Sequence, residues 1–375
     1  MRLVVSATLA VALAACATAT PIPAMRPLTS SHIETMGATP VTVSQNNNGI
    51  EKSWFFTSTA AAGAAYGLIG ALVTVAMDAI INAGPSRRAQ KAADEMAELM
   101  SVDTLNASLA EKIRQHVPAE APGPGVTFSG VQSVQRLGVS TVDNDVVDIS
   151  VSYTLSEDSS TLRVIAAASY QNTATPYAPP YQFKGAVPKT ETRGPAYRNW
   201  FTYYSAQLPV PTLTPELRER LIASIQDSAR DESGALPAEG ADGFKSMSKE
   251  LENARDDKLT KDEIAIFLTR EWLREDGALL RKEVEQAHEF VARYVLADLN
   301  RPVAPSIAGQ DELLETMADE RTVRRIGTGR DAGSYVSSAG GVASFSTYGN
   351  AIGIAHANQA RIKTVREAAR ATAAR

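Results

Sequence analysis

Apolar residues recur along this chain in two different periods, and each period predicts a type of element. Leu105, Leu109, Ile113 and Val117 are four residues apart, which predicts a helix within 87–117 that buries one face. Asp103 is expected to be its N-cap. Apolar and polar residues alternate in four shorter runs, as they do in strands with one buried face. These runs are 126–137, 146–153, 162–170 and 199–208.

The second half of the chain has helical periodicity and clear start signals. Thr214-Pro215 is typical of an N-cap followed by the first helical residue, and Thr260 with Glu263 fits a capping box. Asp276-Gly277 predicts a break before a long amphipathic helix. The whole region 214–300 is therefore predicted to be helical and to pack on the sheet.

Beyond residue 300, the pattern predicts a short helix over 310–320, a hairpin around Gly340-Gly341 and a basic tail over 358–375. The tail is interpreted as a solvated helix or as a contact for anionic lipid or another acidic partner. Together the elements predict an α+β fold with N-terminal helices, a small antiparallel sheet of about four strands, and a helical C-terminal half with a late hairpin.

The N-terminus has the form of a secretory signal. Arg2 precedes an apolar run, 3–12, that is too short to span a bilayer, and Leu13-Ala14-Ala15-Cys16 follows. These four residues resemble the lipobox of bacterial lipoproteins. The resemblance implies cleavage before Cys16, acylation of its thiol with chains such as palmitate, and export to the cell envelope. Ala17, where an aspartate would signal inner-membrane retention, favours the outer membrane.

Cys16 is the single cysteine of the chain. Once it is acylated, the mature protein has no thiol for a disulfide, a thiolate metal site or a cysteine nucleophile.

Two segments follow the leader. Residues 16–52 are rich in Pro, Thr, Ser and Ala and are predicted to be a disordered tether. Residues 53–84 form an Ala/Gly-rich apolar segment, which is either a helix buried in the body or against a sister subunit, or a membrane-spanning helix that packs through small residues. The low hydrophobicity of Ala and Gly and the charge of Asp78 favour the buried helix. The candidate self-association residues are Gly63, Gly67, Gly70 and Thr74.

The segment from Gly67 to Arg88 also resembles a stretch in proteobacterial lipoproteins to which no activity is assigned. That resemblance implies no chemistry.

The composition is that of a soluble globular protein. The chain has 375 residues, of which 44% are hydrophobic and 21% charged, with a net charge of −5. This mild charge offers no broad basic face for nucleic acid. The predicted organisation is a signal peptide (1–15), the tether (16–52), the apolar segment (53–84), an α+β domain (85–210), the helical region (211–300), and a short helix, hairpin and basic tail (301–375).

Motifs for catalysis, metals and cofactors are weak. The run 327–332 matches the loose dinucleotide fingerprint, but turn and strand residues follow where that fingerprint requires a helix. The acidic run 256–263 lacks the central glycine of an EF-hand loop. No metal or cofactor is expected, because zinc-ligand spacing is absent among the four histidines, His32, His116, His288 and His356.

An aromatic cluster is the best candidate for ligand contact, because aromatic faces stack on sugars or hold apolar groups. It consists of Tyr197, Trp200, Tyr203 and Tyr204. The competing interpretation is that these rings fill the core, and strand alternation sends them to opposite faces of the sheet.

The sequence therefore favours a non-catalytic lipoprotein of the outer membrane, facing the periplasm or the cell surface, with a binding, accessory or assembly role. Its partners are expected to be the membrane, through the N-terminal lipid, and either itself or other envelope proteins, with no nucleic acid. The first alternative is a self-associating subunit of an envelope complex or pore through residues 60–84. The second is a cell-wall or carbohydrate hydrolase that uses acids such as Asp145, Asp148 and Glu157.

Overall fold

The computed structural model describes residues 24–52, 83–117, 126–133, 145–172, 195–231, 233–241, 243–300 and 309–339. In these ranges the strands are β1 (Thr39–Lys52), β2 (Phe128–Ser133), β3 (Val147–Leu155), β4 (Leu162–Tyr170), β5 (Tyr197–Tyr204), β6 (Glu312–Thr316), β7 (Thr322–Arg325) and β8 (Tyr335–Ser338). The helices are α1 (Ser30–Thr35), α2 (Ala83–Leu99), α3 (Val102–His116), α4 (Pro215–Ala229), α5 (Phe244–Asn253) and α6 (Lys261–Asn300).

One mixed sheet of eight strands organises the described residues, in the order β2-β1-β3-β4-β5-β8-β7-β6. The pairs β1–β2, β1–β3 and β5–β8 are parallel, and the other pairs are antiparallel. The prediction of a small antiparallel sheet of about four strands is therefore wrong. Turn signals reveal antiparallel neighbours that follow each other in sequence, whereas parallel neighbours are joined by long connections that leave no local signal.

Strand β1 corrects the predicted tether, since it lies second in the sheet. Val41 and Val43 are fully buried, and so are the polar Ser44 and Gln45. Thr42 is also buried and donates its hydroxyl to Asp148 Oδ1 on β3, at 2.7 Å. Polar side chains enter a central strand at little net cost when they are hydrogen-bonded. The disorder expected for this part of 16–52 is thus wrong.

The main core lies between one face of the sheet and two helices. Helix α3 packs on β1 and β2, and α6 packs on β4 and β5. The stripe Leu105, Leu109 and Ile113 is buried, as its spacing predicts. The N-cap of α3 is Ser101, whose side chain accepts from Thr104 N, so the prediction of Asp103 is wrong by two residues.

Helix α6 consists of two segments joined at a kink. Glu275, Asp276 and Gly277 have φ of 52°, 57° and 68°, which is the left-handed region. The predicted break at Asp276-Gly277 is therefore confirmed. The predicted capping box at the start of α6 is also confirmed, because Thr260 N donates to Glu263 Oε2 at 2.7 Å and Glu263 N donates to Thr260 Oγ1.

Helices α4 and α5 form a separate apolar cluster around Ile225 and Met247, outside the main core. The predicted N-cap Thr214 and first-turn Pro215 are confirmed at the start of α4. The short helix predicted over 310–320 is wrong, since β6 and the turn to β7 occupy this range. Within the described ranges, none of the helices combines the length and the apolarity needed to cross a membrane.

Candidate functional site

Strand β5 divides its side chains between two environments. Tyr197, Phe201 and Tyr203 are fully buried beneath α6, whereas Trp200 and Tyr204 lie half-buried on the opposite face of the sheet. This is the outcome of strict strand alternation. Of the four aromatic candidates for ligand contact, Tyr197 and Tyr203 thus belong to the core, and Trp200 and Tyr204 remain.

The buried face is held by a line of polar contacts between the sheet and the second segment of α6. Asp298 accepts hydrogen bonds from the hydroxyls of Tyr197 and Tyr335 and from Asn199 Nδ2, each at 2.8 Å. Burial raises the pKa of both tyrosines, so their hydroxyls stay protonated donors. These groups satisfy one another's hydrogen-bonding capacity and stabilise the packing of α6 on the sheet.

The same line continues along α6 towards its kink. Tyr203 donates its hydroxyl to Glu283 Oε2 at 2.6 Å, and the buried guanidinium of Arg321 lies over the Tyr203 ring, 4.4 Å from its centroid. His288 is fully buried, with Nε2 2.7 Å from the Tyr153 hydroxyl and Nδ1 3.0 Å from Ser108 Oγ. His288 is therefore a hydrogen-bonded core residue of α6.

A cleft of about 540 Å³ lies across β4, β5 and β8, on the face of the sheet opposite α6, where none of the described helices packs; we call it the open-face cleft. Thr202 is paired with Ile165 on β4 and with Val336 on β8, and it stands between Trp200 and Tyr204 along β5. A small side chain between two rings creates the depression. The open-face cleft is lined by Ala24, Ile165, Trp200, Thr202, Tyr204, Ile326, Arg330, Asp331, Ser334 and Val336.

The loop 326–334 forms the wall of the open-face cleft beside β8. Its two ends are joined, because Ile326 N donates to the Ser334 carbonyl at 2.8 Å, and Ser334 Oγ donates to the Asp331 carbonyl at 2.6 Å. Ala24 N donates to the Arg330 carbonyl at 2.8 Å, which fixes the loop to the first described residues of the chain. The side chains of Arg330 and Asp331 remain exposed at the rim.

The Trp200 ring is held from one side by Arg198, whose guanidinium lies 5.2 Å from the ring centroid. Arg198 is fixed in turn, since its Nε and Nη2 donate to the Ala24 carbonyl at 2.8 and 2.6 Å. A cation over an aromatic face stabilises the ring in one orientation. The open-face cleft therefore presents a preoriented aromatic ring next to hydroxyl, carboxylate and guanidinium groups.

The other candidate residues do not join this site. Cys16 and the candidate self-association residues Gly63, Gly67, Gly70 and Thr74 lie outside the described residues. Asp148 is held by Thr42 near the start of β3, whereas Glu157 follows the end of that strand. In the part of the chain that the structure describes, no cluster of three His, Cys, Asp or Glu side chains is placed to hold a metal ion.

Sequence reasoning missed most of the residues that line the open-face cleft. Ile165 and Val336 look like ordinary strand residues, and only the sheet pairing brings them beside Thr202. Arg330 and Asp331 lie inside the run that matches the dinucleotide fingerprint, and β8 follows that run. These two residues belong to a polar loop between two strands, and that loop was the local sequence signal for a functional site.

Comparison of the chain with protein-family models, with curated proteins and with solved structures finds no match among any of them.

Proposed function

We propose that this protein is a non-catalytic lipoprotein of the cell envelope that binds a sugar-containing ligand in the open-face cleft. The observation that carries the proposal is the Trp200 ring, which lines a cleft of about 540 Å³ next to polar side chains. Clefts of this size are typical of small-molecule and cofactor sites, which range over about 300–1,000 Å³.

The chemistry of the lining favours a sugar over a purely apolar ligand. A sugar ring has apolar C–H faces, which pack on an aromatic ring, and hydroxyl edges, which need hydrogen-bond partners. Trp200 and Tyr204 offer the rings. Thr202, Arg330 and Asp331 offer donors and acceptors at the same site.

The location in the cell envelope that we propose is based on the N-terminal signal sequence. The lipobox resemblance of 13–16 supports a lipid anchor on Cys16, and Ala17 supports the outer membrane. An anchored protein facing the periplasm meets the glycan strands of the cell wall, and these strands are the ligand that the proposal names.

The test is cosedimentation of the purified full-length protein with isolated cell-wall sacculi. We expect Trp200→Ala to weaken binding about fivefold or more, because one aromatic stacking contact is worth roughly 1 kcal/mol or more. Trp200→Phe keeps a ring and should retain most of the binding. Leu313→Ala truncates an exposed apolar side chain on β6 and serves as the matched control.

Equal binding by wild type and Trp200→Ala would place the contact elsewhere and overturn the proposal. Release of soluble sugar fragments during the assay would instead favour the hydrolase alternative. The proposed lipid anchor is tested in cells, where Cys16→Ala should abolish acylation and leave the protein as unprocessed precursor or as soluble material. A variant that stays in the membrane after an alkaline carbonate wash would contradict the lipid anchor.

A further inference from the structure

A second groove lies on the other side of the molecule, between α4 and the first segment of α6, with a volume of about 330 Å³. Helix α4 packs against α2 and α5, and α2 packs against α6. The groove is the space that this packing leaves between α4 and α6. Its walls are apolar: Leu217 and Leu221 come from α4, and Ile266 and Phe267 come from α6. We call it the helical groove.

Arg88 of α2 lines the helical groove with an incompletely satisfied guanidinium. Its side chain is only 3% exposed, and its Nη2 forms an ion pair with Glu250 Oε2 at 2.8 Å. Nε and Nη1 are buried and have no hydrogen-bond partner among the residues that the structure describes. Buried N–H groups of a cation that lack an acceptor are costly, so an anion that reached this position would be bound strongly.

Charged side chains of both signs line the helical groove. Four arginines line it, Arg88, Arg220, Arg270 and Arg274, against two glutamates, Glu263 and Glu271. Both glutamates are already engaged, since Glu263 caps α6 through Thr260 N and Glu271 accepts from Arg274 at 2.8 Å. Three of the arginines are ion-paired as well, Arg88 with Glu250, Arg270 with Glu95 and Arg274 with Glu271. The feature that favours an anion is therefore the unsatisfied N–H edge of Arg88 beside an apolar channel.

We infer that the helical groove binds an amphipathic anion, with its carboxylate or phosphate head on Arg88 and its hydrocarbon chain between α4 and α6. The head supplies an acceptor to Arg88 Nη1 and Nε, and the chain covers Leu221 and Phe267. This site is independent of the open-face cleft and of its ligand.

The test is photolabelling of the full-length protein in lipid nanodiscs with a palmitic acid analogue that carries a diazirine. Peptide mapping should place the label within 217–224 and 259–271. Arg88→Gln should lower the labelling about tenfold, the factor expected for one lost hydrogen bond to a charged group. Arg281→Gln removes an exposed arginine beyond the kink of α6 and should leave the labelling unchanged.

Because Arg88→Gln also breaks a buried ion pair, a second variant keeps that pair intact. Ser224→Phe places a ring in the helical groove and should block the labelling while the far-ultraviolet circular dichroism stays that of the wild type. Labelling of Ser224→Phe at the wild-type level, or labels spread evenly along the chain, would overturn the inference.

Competition identifies the head group. Laurate and lauryl phosphate should displace the label, and whichever displaces it more strongly indicates a fatty acid or a phospholipid as the source. Dodecyltrimethylammonium has the same chain with a positive head and should compete weakly. Equal competition by all three compounds would show that the chain alone is bound and that Arg88 has no role.

Discussion

His288 shows how a single buried residue limits the pH range of the fold. Its ring is fully enclosed, and both nitrogens lie within hydrogen-bond distance of hydroxyls. Burial, with a smaller contribution from the nearby charge of Lys112, lowers the pKa of His288 to about 3. An imidazolium at this position would lose its hydration, so the folded protein keeps this histidine neutral.

The stability of the protein should therefore fall as the pH falls from about 7 towards 4. Below the usual histidine pKa of about 6.5, the unfolded chain binds a proton at His288 that the folded chain does not bind until pH about 3. This one group contributes a slope approaching about 1.4 kcal/mol per pH unit in that window. His288→Gln should remove the slope.

Urea unfolding of the wild type and His288→Gln at several pH values between neutral and mildly acidic measures this difference. His116→Gln, at a half-exposed histidine that pairs with Glu289, provides the reference for loss of a histidine near the surface. A wild-type pH dependence that persists in His288→Gln would assign the effect to other groups, such as the buried carboxylates.

At the scale of elements, the kink in α6 combines an unusual backbone with a close contact to another helix. Glu275 and Asp276 have left-handed backbones although neither is a glycine, and Gly277 follows them at φ 68°. The α-carbon of Gly277 faces the side chain of Leu99 at the end of α2, and an added Cβ would overlap it. The kink thus sets the contact between α2 and α6.

Gly277→Ala should be strongly destabilising. A left-handed non-glycine residue costs about 1–2 kcal/mol, and overpacking against Leu99 adds about 1–3 kcal/mol. The measurement is the thermal or urea midpoint of the purified variant. Glu275→Gly is the matched control at an exposed position of the same kink, and it should be neutral or stabilising by up to about 1 kcal/mol. A loss of stability in both variants would contradict this account of the kink.

Elements that are specified by neighbouring residues could be predicted from the sequence. The capping box at Thr260 and the break at Asp276-Gly277 depend on side chains within one or two turns, and both are confirmed. Strand β1 could not be predicted, because Thr42 is satisfied by Asp148, 106 residues away in the chain. A polar strand looks like a linker until its partner is known.

The candidate site likewise has features that the local sequence predicts and features that depend on distant residues. Alternation along β5 predicts that Trp200 and Phe201 point to opposite faces, and the structure places them so. Which face is covered by helices, and which loop forms the wall of the open-face cleft, depends on the parallel pairing of β5 with β8. That pairing has no local signal in either strand.

At the scale of the whole molecule, stability should differ between the main core and the small apolar cluster that α4 and α5 form. β1 and β3 have their fully buried valines in the main core, whereas α4 and α5 share only a small separate cluster. Segments with few buried apolar contacts open at a lower free energy than the core does. Amide hydrogens of β1 and β3 should therefore exchange most slowly, and those of α4 and α5 faster.

Hydrogen–deuterium exchange with peptide mass analysis measures this order directly. Peptides covering 41–45 and 147–155 should remain protected long after peptides covering 215–229 have exchanged. Fast exchange over 41–45, comparable to that of α4, would contradict the central position of β1 and restore the tether interpretation for this segment.

The edge of β5 is shared by segments from both ends of the described chain. Arg26 forms a two-way backbone bridge with Arg198, and β8 pairs with the rest of the strand. Asn199 contacts the Gly333 carbonyl across 134 residues of sequence. Contacts of such long range must overcome a large loop-closure entropy before they stabilise anything, which makes folding slow. During synthesis β5 cannot complete its pairing until β8 has been made, so a nascent chain of this topology remains incompletely folded and open to chaperones until then.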